Sequence, residues 1–263
     1  MSNADVIDYK IGGEDIQYVE VELDPGESVV SEAGAMMYKS PSVTMEAVFG
    51  DGSGRNSGVW GALAGAGKRL LTGESLFMTV FTHQGPGKAH AAFAAPYPGT
   101  IIPVHLPDLG GELICQKDSF LAAAKGVSVG IALQRRIMTG LFGGEGFIMQ
   151  RLQGTGWCFV HAGGTLIERQ LAPGEELHVD TGCVVAYTPD VDFEIEQAGN
   201  IKSMIFGGEG VFFARLRGPG KVWIQSMPFS RLAGRILANV PVAGSGQGEG
   251  SVLGPLGSII RGN

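Results

Sequence analysis

At 263 residues the chain is long enough to bury a substantial hydrophobic core without disulfide bonds. A formal net charge of −7 and a pI near 5.2 exclude a general nucleic-acid binder, whose affinity comes largely from lysine and arginine neutralising phosphates. Glycine supplies 43 residues while charged residues make up 17%, a composition that points to short strands and many tight turns.

The N-terminus, MSNADVIDYK, has neither a basic n-region nor an apolar h-region, and no apolar run reaches the ~18 residues of a membrane span, so a cytoplasmic location is expected. The first stretch with strong turn character is LDPGESVVSEAG (23–34), and the same line returns as LGGELICQKDSF (109–120) and LAPGEELHVDTG (171–182), with Glu27, Glu112 and Glu175 in register. Each copy is followed by a second recurring line: TGESLFMTVFTHQGPGKAHAAF (72–93), FGGEGFIMQRLQGTGW (142–157) and FGGEGVFFARLRGPGK (206–221). Alternating apolar runs flank Gly85–Gly87, Gly154–Gly156 and Gly218–Gly220, and glycine permits the positive φ of tight turns, so each second line is expected to form a β-hairpin. The start of the chain joins the pattern, because VIDYKIGGEDIQYVEVELDPGE matches WCFVHAGGTLIERQLAPGE at its GG, its apolar strand and its PGE turn.

From the first-line glutamate to the second-line glutamate (Glu74, Glu145, Glu209) is 47, 33 and 34 residues, so the first copy carries an insertion of about a dozen, at roughly 50–67. The expected organisation is three β repeats, 1–98, 99–164 and 165–229, packed around a shared core on a pseudo-threefold axis, because one such set of short strands cannot cover its own apolar face. Helical periodicity is confined to SRLAGRILANV (230–240), where Ser230 would cap a short helix with Leu232, Ile236 and Leu237 on one side; the remainder of 230–263 reads as a flexible glycine-rich tail.

The threefold Gly-Glu lines, the PGE turns and GEGFIMQRLQGTG resemble the bacterial relatives of the altered-inheritance-of-mitochondria protein family over about residues 5–230. The resemblance implies a fold like that of the tryptophan RNA-binding attenuation protein, a short variant of the double-stranded β-helix tripled within one chain, and a homotrimer. Mitochondrial relatives are implicated in inner-membrane organisation, and the family supplies no catalytic residue that can be carried over.

No residue pattern announces an enzyme. GALAGAGKRLL (61–71) misplaces the first glycine of a phosphate-binding loop and has Arg69 at the metal-binding Ser/Thr position, and DGSGRN (51–56) lacks the calcium-loop glycine and its closing glutamate. The five histidines show no metal-ligand spacing, and Cys115, Cys158 and Cys183 form no C-x-x-C pair, so reduced, inert thiols and no cofactor or metal are expected. Two sets of residues qualify as candidate sites. The repeated Glu74, Glu145 and Glu209, with Lys68, Arg69, Arg135, Arg136 and Lys202 just before them, would either hold turns and solvated faces or gather as a site for a cation or an anionic headgroup. In the insertion, Trp60 and Leu63 beside Lys68 and Arg69 suit a lipid interface or a protein groove, and so many glycines there make ordering the free loop costly. The functional expectation is a non-catalytic oligomeric scaffold or binding module that contacts a protein partner or membrane surface; the alternatives are a small-ligand carrier and an enzyme with a site between repeats or subunits.

Overall fold

The computed structural model describes residues 3–49, 77–135, 147–197 and 212–239. The chain is nearly all β. It runs through β1 (Asp8–Gly12), β2 (Tyr18–Leu23), β3 (Ser28–Glu32), β4 (Met36–Lys39), β5 (Val43–Phe49), β6 (Phe77–His83) and β7 (Ala89–Ala94). Next come β8 (Gly99–His105), β9 (Glu112–Gln116), β10 (Phe120–Ala124), β11 (Ser128–Arg135), β12 (Phe147–Gln153) and β13 (Trp157–Gly163). The last set is β14 (Leu166–Leu171), β15 (Glu176–Asp180), β16 (Val184–Tyr187), β17 (Asp192–Gln197), β18 (Phe212–Arg217) and β19 (Gly220–Gln225), followed by helix α1 (Phe229–Ala238).

These strands form four antiparallel sheets: I (β1-β2-β7-β4), II (β5-β6-β3-β10-β13-β8), III (β11-β12-β9-β16-β19-β14) and IV (β15-β18-β17). The same local pairings occur along three successive stretches. In the first, β7 lies between β2 and β4 while β6 lies between β3 and β5; β13 and β12 hold these places in the second, and β19 and β18 in the third. Sheets II and III each join two stretches, through β3 against β10 and β9 against β16.

Burial follows from this arrangement. Three apolar cores lie between successive sheets: Val19 and Phe93 of sheet I meet Phe81 and Phe159 of sheet II, Val160 of sheet II meets Leu113 and Trp223 of sheet III, and Met149 of sheet III meets Leu216 of sheet IV. Sheets II and III are covered on both faces, which is why β10 reads FLAAA and β16 reads VVAY without a polar residue between. In the outer sheet I, β2 alternates instead, with Val19, Val21 and Leu23 buried and Tyr18, Glu20 and Glu22 turned outward.

The expected hairpins are corrected in one respect. The glycine turns form, with Gly87, Gly154 and Gly220 all at positive φ, but the strands they connect do not pair. Each turn carries the chain from one sheet into the facing one: β6 to β7 from II to I, β12 to β13 from III to II, and β18 to β19 from IV to III. Both edges of β6, β12 and β18 are taken by other strands, so the strand after the turn must find partners across the core. Phe81 and Phe93 therefore meet edge to face at 5.1 Å between two layers.

Two smaller corrections concern the ends. Strand β1 is an addition to sheet I, paired with β2 alone; β8 and β14, which hold the place of β2 in sheets II and III, end their sheets. Helix α1 begins at Phe229 after Pro228, so Ser230 lies inside the first turn and caps nothing. Its side chains Ile236 and Leu237 are exposed, while Phe229 touches the Tyr97 ring at 5.5 Å.

One close approach between strands sets a strict size limit. Gly99 pairs with Gly163, and a Cβ at position 99 would sit 2.1 Å from the Ala162 carbonyl oxygen. We predict that Gly99→Ala destabilises the fold by about 1–3 kcal/mol, read as a lowered midpoint in chemical denaturation with unchanged secondary-structure content.

Candidate functional site

Of the residues singled out in sequence, Glu74, Glu145, Glu209, Lys68, Arg69, Arg136, Lys202, Trp60 and Leu63 lie outside the described residues, as does the 50–67 insertion. The backbone of Arg135 ends β11 opposite Phe147. The first-line glutamates are placed, and they act on turns. Glu27 accepts a hydrogen bond from the Asp24 N–H at 2.9 Å and Glu175 one from the Ala172 N–H at 2.8 Å, each closing its own PGE turn. Glu112 instead takes the Gln153 amide at 2.6 Å and pairs with Arg151 at 3.1 Å.

All three cysteines are buried, none in a disulfide, and burial pushes the Cys115 and Cys158 thiols well up, away from the reactive thiolate. The histidines are dispersed. His83 holds the first glycine turn, with Gly85 N–H donating to Nδ1 at 3.3 Å and Nε2 at 2.9 Å from the Gly87 carbonyl. His90 faces Glu22, His105 faces Asp108, and His178 stacks on Phe213 at 4.8 Å. Among the described residues no three His, Cys, Asp or Glu side chains gather in a way that could hold a metal ion.

His161 is as deeply buried as His83 but is not held in the same way. It lies on β13 with its ring against Tyr97 at 4.6 Å, and neither ring nitrogen makes a well-formed side-chain hydrogen bond. Burial lowers its pKa to about 4, against a weak opposing effect of the Tyr97 backbone, while burial together with Asp118 raises the Tyr97 phenol to about 12. Beside it, Gln225 bridges two stretches, accepting from the Gly163 N–H at 2.7 Å and donating to the Gly182 carbonyl at 2.8 Å. This is a neutral polar clamp between sheets II and III.

Sheet IV carries the densest charge on its outer face. Arg215 on β18 reaches Glu196 at 2.8 Å, Glu176 at 3.2 Å and Glu194, drawing together the carboxylates of the strands on either side of it. The three acids push the guanidinium still further up, so it stays a fixed cation. At the opposite end of the molecule the exposed surface is apolar: Met36, Met37 and Tyr38 on β4 are 36%, 46% and 41% exposed, and Met45 on β5 is also exposed. The Tyr38 hydroxyl donates to Glu20, which pushes the phenol up to about 12. Methionine side chains adapt to many surroundings, and this Met-Met-Tyr run lies on a strand that is bonded on one side among the described residues.

Comparison with known proteins fits this picture. The model of the mitochondrial biogenesis AIM24 family matches residues 9–227. The chain belongs to that family. As an AIM24-family member it is similar to an uncharacterised protein of Streptococcus pyogenes serotype M6, 31% identical over 228 residues, which cover 86% of this chain and 87% of the relative. It also resembles the crystal structure of a structural-genomics target from Streptococcus pyogenes, with a TM-score of 0.68 and 25% identity across 88% of this chain and 98% of that one. No helix among the described residues is long and apolar enough to cross a membrane.

His161 gives a pH signature. The unfolded imidazole takes up a proton near pH 6.5 and the buried one near 4. Stability is therefore complete above the unfolded value and falls as pH drops from 6.5 towards 4, by roughly 3 kcal/mol at the lower end. Denaturation midpoints measured across that range in the wild type and in His161→Gln are expected to show a steeper acid loss in the wild type.

Proposed function

We propose that this AIM24-family protein is a non-catalytic scaffold or binding module that works as a homo-oligomer, with a trimer as the assembly. The supporting observation is the threefold recurrence of one strand-pairing scheme, which presents similar strand edges at regular intervals along a single chain. In this reading, residues 1–98, 99–164 and 165–229 are repeats of the short double-stranded β-helix type, set in series and followed by the 230–263 helix and tail. The buried, protonated thiols and the dispersed histidines of the described residues support binding over covalent chemistry. A cytoplasmic location goes with this reading.

A second role, contact with a membrane surface, has one observation in its favour. On α1, Ile236 and Leu237 are 57% and 70% exposed beside the basic Arg235 in the last turn, a combination suited to an anionic lipid interface.

Light scattering tests the assembly. At micromolar concentration we predict a single species of three chains, each of 27.5 kDa, and a monomer would end the oligomer reading. Flotation with vesicles containing anionic lipid tests the second role; an Ile236→Asp, Leu237→Asp variant is expected to lose whatever binding the wild type shows, and no wild-type binding ends it.

A further inference from the structure

Among the described residues, two strand edges are left open at positions that are paired in the neighbouring stretches. Counting from the turn glutamate of each stretch, Val30, Cys115 and His178 stand three residues after Glu27, Glu112 and Glu175. Tyr38, Ala123 and Ala186 stand eleven residues after the same glutamates. The junction between the first and second stretches pairs Val30 with Ala123 and Val29 with Ala124. The junction between the second and third pairs Cys115 with Ala186 and Ile114 with Tyr187. Position three of one stretch thus lies opposite position eleven of the next, in the same antiparallel register both times.

Among the described residues, β15 of the third stretch is bonded to β18 alone and β4 of the first to β7 alone. Sheet IV (β17-β18-β15) holds the place of β5-β6-β3, and β4-β7-β2 of sheet I holds the place of β10-β13-β8. Joined through β15 and β4, they reproduce the six-stranded order of sheets II and III, with β1 added at one end. Burial agrees. At the two formed junctions Ala122, Ala123, Ala124, Val29, Val30, Cys115 and Ala186 are buried, whereas Met37 and Tyr38 of β4 and His178 of β15 are exposed.

We infer that β15 of one chain pairs with β4 of a second copy of the same chain, antiparallel, with Val179 opposite Met37, His178 opposite Tyr38 and Leu177 opposite Lys39. The occupant is a second copy because the open edges lie at the two ends of one regular series, and each carries the register that the other needs. The contact is heterologous: every copy offers one β4 and one β15, so copies add head to tail and the series ends only when a ring closes. The apolar Met36–Tyr38 run is thereby covered, which removes an exposed edge that would otherwise invite non-specific strand addition. This inference rests on the homo-oligomer reading and specifies its interface.

Disulfide trapping tests it, since directly opposed residues on antiparallel strands have Cα atoms about 4.5–5.5 Å apart, within disulfide reach. Tyr38→Cys and His178→Cys are made singly and together, with Lys39→Cys and Leu177→Cys as a second pair in the same register. Met36→Cys with Glu176→Cys, four residues out of register, and the wild type with its buried cysteines are the controls. After oxidation, an equimolar mixture of the two single variants is expected to give covalent dimers on a non-reducing gel. The double variants are expected to give a ladder ending at the ring, and the controls neither. A bridge confined to one chain, with no dimer from the mixture, would overturn the inference in favour of closure within the chain. Light scattering on the same samples separates the two levels: an oligomer that neither matched pair cross-links overturns the edge pairing alone, and the absence of any oligomer overturns the assembly reading beneath it.

Discussion

The structure depends on the backbone pairing of β3 with β10 and of β9 with β16. Each stretch, β1 aside, divides its strands into two half-sheets of three that face one another, and a half-sheet of three is too narrow to cover an apolar face of this size. Sharing a sheet with the neighbouring stretch doubles its width and places apolar cores on both of its sides. The pairing strands show the consequence in their composition. β10 is FLAAA, where alanines let two layers close in on a doubly buried sheet, and β9 brings Leu113, Ile114 and Cys115 to the cores on its two faces.

With sheets II and III buried on both sides, charge is driven to the outside. Glu20 and Glu22 sit on the open face of sheet I, and Arg215 with its three glutamates on that of sheet IV. The polar groups left inside are satisfied mainly at the ends of strands: Gln225 ties Gly163 to Gly182, and Ser28 receives Asp5 at its N–H and Thr82 at its hydroxyl. His161 remains as a neutral ring, because a charged one could not be solvated there.

Among the described residues, His83 holds a glycine turn, Glu27 and Glu175 hold PGE turns, and Cys115 and Cys158 lie in the core between sheets II and III. What varies along the molecule is the outside, acidic and arginine-clamped at sheet IV and rich in methionine at β4. Those two surfaces lie next to β15 and β4, the strands at which sheets IV and I end.

The all-β class, the short C-terminal helix and the membership of this family were legible in the sequence, because turns and alternation are local. The PGE triplet folds the same way twice, since Glu27 and Glu175 each reach a backbone N–H three residues away, and no distant contact is needed. The partners of each strand were not legible. Gly85–Gly87 carries every local mark of a hairpin, yet whether β6 pairs with β7 or turns away from it depends on β3 and β5, which occupy both edges of β6 from dozens of residues off. The candidate glutamates and basic residues recur in sequence, but recurrence alone does not say which side chains meet. Tertiary structure alone settled that, among the described residues, β4 and β15 lack the cross-stretch partner that β3, β9, β10 and β16 have, because an edge is defined by what lies beside it, and only the folded arrangement of the strands can show that.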